Sequence, residues 1–155
     1  MSNTISGRVA ELGLTLPSAS APAGNYVAWV RAGDLVHISG QVPLKDGSAQ
    51  FIGKVGQDLD VGAGQQAAQL CALNVLAHLA DAVGDDMSRV VRCVRLGGFV
   101  NCTPDFDKQP VVINGASDLM VKVLGDKGKH VRAAVGVSSL PRGVAVEVDA
   151  IFEVS

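Results

Sequence analysis

Charge is scarce in this chain. Only 18% of its 155 residues are Asp, Glu, Lys or Arg, against about 25% in ordinary soluble domains. Aromatic residues make up 4%, with one Trp, one Tyr and four Phe. Neither sign of charge dominates, since 13 basic residues face 15 acidic ones. The basic excess that neutralises a phosphate backbone is missing, which speaks against a nucleic-acid partner. Cysteine is represented only by Cys71, Cys93 and Cys102, an odd set without a CxxC pair, so no disulfide framework is expected. His37, His78 and His130 are far apart and show no ligand spacing, so no metal site is expected. No apolar run approaches the ~20 residues of a membrane helix. The first residues lack the basic and apolar regions of a secretory signal. A cytoplasmic protein without a membrane partner is the expectation.

What the chain has in quantity is apolar surface. Hydrophobic residues make up 48% and the mean hydropathy is +0.30. A length of 155 residues suits one domain with its own core. A monomer must turn its polar groups outward, so so few charges suggest that part of the surface is covered by another subunit. The single domain is expected over residues 1–155, with 1–23, rich in small residues and proline, as an irregular lead-in.

The hydrophobic periodicity gives the order β-β-α-β-α-β-β. Asn25–Arg31 and Leu35–Val42 read as a hairpin, with Val36 and Ile38 alternating against His37 and Ser39. Gln50–Ile52 is a candidate short strand. Ala68, Cys71, Ala72, Val75, Leu76, Leu79 and Val83 form one helical stripe that Gly84 closes. Gln66, Gln69, Asn74 and Asp81 lie elsewhere on that wheel, and His78 reads as a surface or internally satisfied residue. Arg89–Val100 is valine-rich and strand-like, and Gly97-Gly98 within it marks a bulge or a close backbone approach. A second helix spans about Pro110–Leu124, with Val112, Ile113, Ala116, Leu119, Met120, Val123 and Leu124 as its stripe and Gly125 as its C-cap. Val131–Ser138 and Val144–Val154 complete the strands. The prediction is an α+β fold with two helices on one face of a mixed sheet. The last strand puts Glu147, Asp149 and Ile151 on the helix-free face, which is thus mixed apolar and acidic.

Several motifs fail on inspection. Gly125–His130 lacks the glycine spacing and the Ser/Thr of a phosphate loop, and reads as a turn. There is no Gly-x-Ser-x-Gly elbow, and no cysteine has a base beside it in sequence. Tyr26 and Trp29 without interleaved basic residues fit packing better than base stacking.

Two segments carry a pattern. One is Gly24-Asn25-Tyr26 followed by Ile38-Ser39-Gly40-Gln41-Val42-Pro43. The other runs from Arg132 through Leu140-Pro141-Arg142-Gly143 to Val146-Glu147-Val148-Asp149-Ala150. Together they resemble the RidA family, also called YjgF, over about Gly24 to Val154. The resemblance implies a chorismate-mutase-like fold assembled as a homotrimer with clefts between subunits. It also implies hydrolysis of reactive 2-imino acids to 2-keto acids and ammonia, without metal or cofactor. Arg132 would hold the carboxylate of a small substrate and Glu147 would position the attacking water. Tyr26, Ser39 and the backbone of Gly40 and Ala134 would line the pocket, and Asn114 matches an asparagine often found there. His130-Val131 and Ala134 stand where Pro-Ala and a cysteine are common, which places the chain in a divergent branch.

The chemistry of these residues suits that activity. Arginine binds a carboxylate through two parallel hydrogen bonds, and a carboxylate within ~3 Å of a water can orient it and accept its proton. A glutamate beside that arginine should have a depressed pKa. Whether Arg132 and Glu147 share a face depends on strand register, and if they do not, a complete site needs two chains. The plainer reading of Arg132 and Glu147 is a cross-strand or intersubunit ion pair. Asp149 and Asn114 have equally plain structural readings. A trimer of the same fold that binds a small carboxylate without turnover is the functional alternative. Ribonuclease chemistry fits an acidic chain without paired histidines poorly.

Overall fold

Along 146–154 buried and half-buried residues alternate without a break, the pattern of a strand covered on one face only. That strand lies at the centre of the sheet. The structure, a computed structural model, describes residues 1–155. Its elements are α1 (Ile5–Glu11), β1 (Trp29–Ala32), β2 (Leu35–Gln41), β3 (Leu44–Lys45), β4 (Ser48–Ala49), α2 (Val61–Val83), β5 (Val90–Asn101), α3 (Gln109–Leu124), β6 (Val131–Val137) and β7 (Val146–Val154). The main sheet has the order β1-β2-β7-β5-β6, and β3 and β4 form a separate small hairpin. Only β6 runs parallel to its neighbour; the other pairs are antiparallel. This is the expected α+β architecture, a mixed sheet with its two long helices on one face.

Helices α2 and α3 pack on each other and on one face of the sheet. Both expected stripes are buried, and they join Val146, Val148, Ala150 and Phe152 in a core cluster of 34 residues. Asp60 caps α2 by accepting from Ala63 N at 2.8 Å, so the helix begins ahead of its apolar stripe. Gly84 ends it at φ 68, in the left-handed region where glycine is favoured. Gly98 explains how α3 comes so close to the sheet: a Cβ there would stand 2.6 Å from Ile113. The glycine pair is therefore a close approach, and the bulges of β5 lie earlier, between Val90 and Arg92 and between Cys93 and Arg95.

Four expectations need correcting. The lead-in is not wholly irregular, because Ile5–Glu11 is a third helix. Thr4 caps it, accepting from Gly7 N at 3.0 Å, and Ile5 and Val9 are fully buried; seven residues carry too little period to announce themselves. The first strand starts at Trp29 and leaves Tyr26 outside it. Residues 50–52 make no strand of their own, since Ile52 forms only an isolated bridge to Val144. Asn74, placed off the apolar stripe, is buried, and so is His78, which removes the surface alternative of its reading. The Asn74 amide donates to Leu44 O and Leu70 O, which satisfies it inside the core. No helix is long and apolar enough to cross a membrane.

Candidate functional site

The residues of the two patterns fall into two groups. The first gathers around Glu147 on β7. Its carboxyl lies against the bare backbone of Gly40 on the neighbouring β2, where a Cβ would sit 2.9 Å from Cδ. A cavity of about 140 Å³ opens there, and Tyr26, Gly40, His78, Arg142 and Glu147 line it together with the Ser20–Ala23 segment. Ser39 holds the Tyr26 arm in place: its hydroxyl donates to Val27 O at 2.8 Å and its amide to Ala28 O at 2.9 Å.

The Glu147 carboxyl titrates above the ordinary glutamate range, first because burial disfavours its charge and second because Asp149 stands on the same face. This reverses the depressed pKa that an adjacent Arg132 would have caused. Asp149 itself pairs with Arg95 Nη1 at 3.4 Å. That pair lies over Gly97, where a Cβ would meet Asp149 Oδ1 at 2.2 Å.

The second group gathers on the edge strand β6. Arg132 donates from Nη1 to Asn114 Oδ1 at 2.8 Å and to Ser117 Oγ at 3.0 Å, and from Nη2 to Pro110 O at 3.0 Å. All three partners belong to the first half of α3. A guanidinium has five N–H donors, so one on Nε and one on Nη2 remain for a ligand. Ser117 is bonded in turn to His130 Nε2 at 2.8 Å, and His130 Nδ1 lies 2.6 Å from Gly128 O. The carbonyl can only accept, so Nδ1 carries the proton and Nε2 accepts from the serine hydroxyl. Ala134 follows two residues after Arg132 on the same face. Arg132 makes no ion pair, and it does not line the cavity beside Glu147.

Register separates the groups. Arg132 pairs with Leu96, and Leu96 with Ala150; both partners are buried under the helices. Glu147 pairs with Phe99, three residues further along β5, and so points to the opposite face. The two side chains lie roughly 10 Å apart along the strands and about 10 Å across them, on different sides of the sheet. They cannot form an ion pair or a common site within one chain.

Sequence reasoning missed Ser117, His78 and Arg142. Ser117 comes to Arg132 only through the packing of α3 against β6. Arg142 belongs to a turn in the sequence pattern, yet it lines the same cavity as Glu147. Two thiols play no part as nucleophiles: burial pushes Cys93 up to about 12 and Cys71 well above the ordinary thiol range, with Glu147 adding to the latter.

The chain is similar to known proteins over nearly its whole length. Residues 6–149 match the YjgF/chorismate mutase-like family, whose description adds a provisional endoribonuclease activity. Protein TCP17 of Trypanosoma cruzi is 49% identical over 160 residues, covering 100% of this chain and 99% of that protein. The 2-iminobutanoate/2-iminopropanoate deaminase of Mus musculus is 30% identical over 89% of this chain and 87% of its own. Among solved structures, Atu1372 of Agrobacterium tumefaciens, a protein of unknown function, superposes with a TM-score of 0.91 and 48% identity. That match covers 97% of this chain and 92% of the other.

Proposed function

We propose that this chain, which belongs to the YjgF/chorismate mutase-like family, hydrolyses reactive 2-imino acids to 2-keto acids and ammonia in clefts between the subunits of a homotrimer. One observation carries the reading. The carboxylate-binding Arg132 and the water-activating Glu147 belong to half-sites on opposite faces of the sheet, so a second copy is needed to complete either. Strand β6 is an open edge, and Val131 and Val135 beside Arg132 are 68% and 46% exposed. An unpaired edge with exposed valines favours a partner. The similarity to a mammalian 2-iminobutanoate/2-iminopropanoate deaminase supports the choice of reaction.

The chemistry follows from the donors. Arg132 receives the substrate carboxylate on its free Nε and Nη2 donors, with Asn114, Ser117 and the Pro110 carbonyl fixing the plane of the fork. Glu147 of the adjoining copy takes a proton from a water as the water oxygen bonds to the protonated imine carbon. The C=N electron pair moves to nitrogen and a carbinolamine results. Glu147 returns its proton to that nitrogen, the C–N bond breaks and the oxygen lone pair forms C=O. The hydroxyl proton passes through Glu147 to ammonia, which leaves as ammonium. A carboxylate of raised pKa is the stronger base for this work, and the half-buried cavity strengthens its interactions.

The test is keto-acid release from 2-iminopropanoate or 2-iminobutanoate made in situ by an amino-acid oxidase. The expected result is acceleration over the spontaneous rate, with loss of the acceleration in Arg132→Ala. Binding of 2-ketobutyrate without any acceleration would instead identify a carboxylate-binding trimer. RNA cleavage that vanished in Arg132→Ala would restore the ribonuclease reading.

A further inference from the structure

The cavity beside Glu147 holds two polar side chains that this hydrolysis leaves unused. His78, from α2, is 2% exposed. Its ring has no hydrogen-bond partner in the chain, yet no polar side-chain atom is both sealed from solvent and unpartnered. The ring nitrogens therefore open into the cavity that His78 lines. Burial lowers the pKa of the ring, against an opposing pull from Asp81, so at neutral pH it offers one donor and one acceptor.

Arg142 stands on the same cavity wall as Glu147. It sits in the Leu140–Gly143 turn at φ 61, in the left-handed region that residues with a side chain rarely occupy. The turn is tied down by Gly143 N to Leu140 O at 3.0 Å and Gly53 N to Gly143 O at 2.8 Å. The Arg142 guanidinium makes no ion pair. No ion pair joins it to Glu147, whose pKa is raised by burial first and Asp149 second. Both residues line the cavity, Arg142 from its exposed rim.

An unpaired guanidinium and an unpartnered imidazole on one cavity complement an anion with two acceptor oxygens. On the imine-hydrolase reading, on which this inference rests, the reacting carbon lies at Glu147 and the α-carboxylate at Arg132 of the adjoining copy. What enters the cavity is then the substrate's side chain. We infer that this cavity is a side-chain pocket for a second carboxylate, so that short 2-imino dicarboxylic acids are the preferred substrates. A volume of about 140 Å³ equals the liquid share of roughly five waters, enough for a carboxylate and its linker. Glu147 and Arg142 cancel in formal charge and Arg95 pairs with Asp149, which leaves Asp81, acting on His78, as a carboxylate that an entering anion must tolerate.

Oxidation of aspartate or glutamate by amino-acid oxidases supplies 2-iminosuccinate or 2-iminoglutarate; alanine and 2-aminobutyrate supply the monocarboxylic counterparts. The intact protein is expected to favour the dicarboxylic substrates roughly 10- to 100-fold in kcat/KM. Arg142→Gln is expected to bring that ratio close to one, through KM, and His78→Phe to lower it less. A second readout needs no turnover: 2-oxoglutarate should raise the melting temperature more than 2-ketobutyrate at equal concentration, and Arg142→Gln should abolish the difference. Turnover of 2-iminobutanoate equal to or faster than that of the dicarboxylic acids overturns the inference and leaves the hydrolase reading intact. Survival of a dicarboxylic preference in Arg142→Gln also overturns it. Absence of acceleration with every imino acid overturns the hydrolase reading, and the pocket is then judged on the keto-acid binding alone.

Discussion

The Glu147 carboxyl rests against Gly40 so closely that a methyl group there would stand 2.9 Å from Cδ and 3.1 Å from Oε1. The neighbour that must yield is the end of a flexible side chain, so Gly40→Ala should fold normally while displacing the carboxylate. A misplacement of about 1 Å can cost about 100-fold in rate. The expected result is a large fall in kcat with an almost unchanged melting temperature, read by steady-state kinetics and thermal unfolding of the same preparation.

The pH dependence of Glu147 has a definite sign. Its folded-state pKa is raised, by burial first and by Asp149 second, so its ionisation costs stability. That cost is absent below the unfolded-state pKa, grows as pH rises from there to the folded-state value, and is fully present above it. Glu147→Gln should therefore stabilise the protein more at pH 8 than at pH 4 while removing turnover. Asp149→Asn removes the neighbouring like charge, and the acid limb of the rate profile should move to lower pH.

Ser117 holds Arg132 by a hydrogen bond, and on the imine-hydrolase reading it does so without meeting the substrate. It accepts from Nη1 at 3.0 Å while its hydroxyl is held by His130. Ser117→Ala should raise KM by roughly 10-fold with little change in kcat, and Ser117→Thr should restore it. A purely structural role for the serine would lower stability and leave KM unchanged.

The two long helices touch backbone to backbone at Gly115. A Cβ there would lie 2.1 Å from Gln65 O, an atom that no rotamer change can move. Gly115→Ala should force α2 and α3 apart and destabilise the fold by at least about 2 kcal/mol, measurable by chemical denaturation. Gly62→Ala, with only Asp60 Oδ1 at 3.5 Å nearby, serves as the control.

Much of the fold was legible because it rests on local periodicity. The stripes Ala68–Val83 and Val112–Leu124 and the alternation from Val146 to Phe152 needed only a wheel and a pleat, and all are buried as read. Helix α1 was not legible, since its stability comes from burying Ile5 and Val9 against distant elements. The burial of His78 follows from the polar side of α2 being covered by the β2–β3 connection and the Ser20–Ala23 segment, which no helical wheel reveals. The pattern around Arg132 and Glu147 identified the right family, but their relation to each other depended on the registers of β5 with β6 and β7. Those registers put the two residues on opposite faces and gave Glu147 a raised pKa in place of a depressed one. The partner of Arg132, Ser117, is fifteen residues away and became visible only once α3 was laid on β6.

The central claim, that each site joins Arg132 of one chain to Glu147 of another, is tested most directly by complementation. Arg132→Ala and Glu147→Gln proteins should each be inactive alone. Unfolded together in equal amounts and refolded, they should form mixed trimers in which about a quarter of the clefts combine two intact halves. Recovery of about a quarter of the wild-type rate is the predicted result. A mixture as inactive as its components, with mixed oligomers verified, would contradict the account.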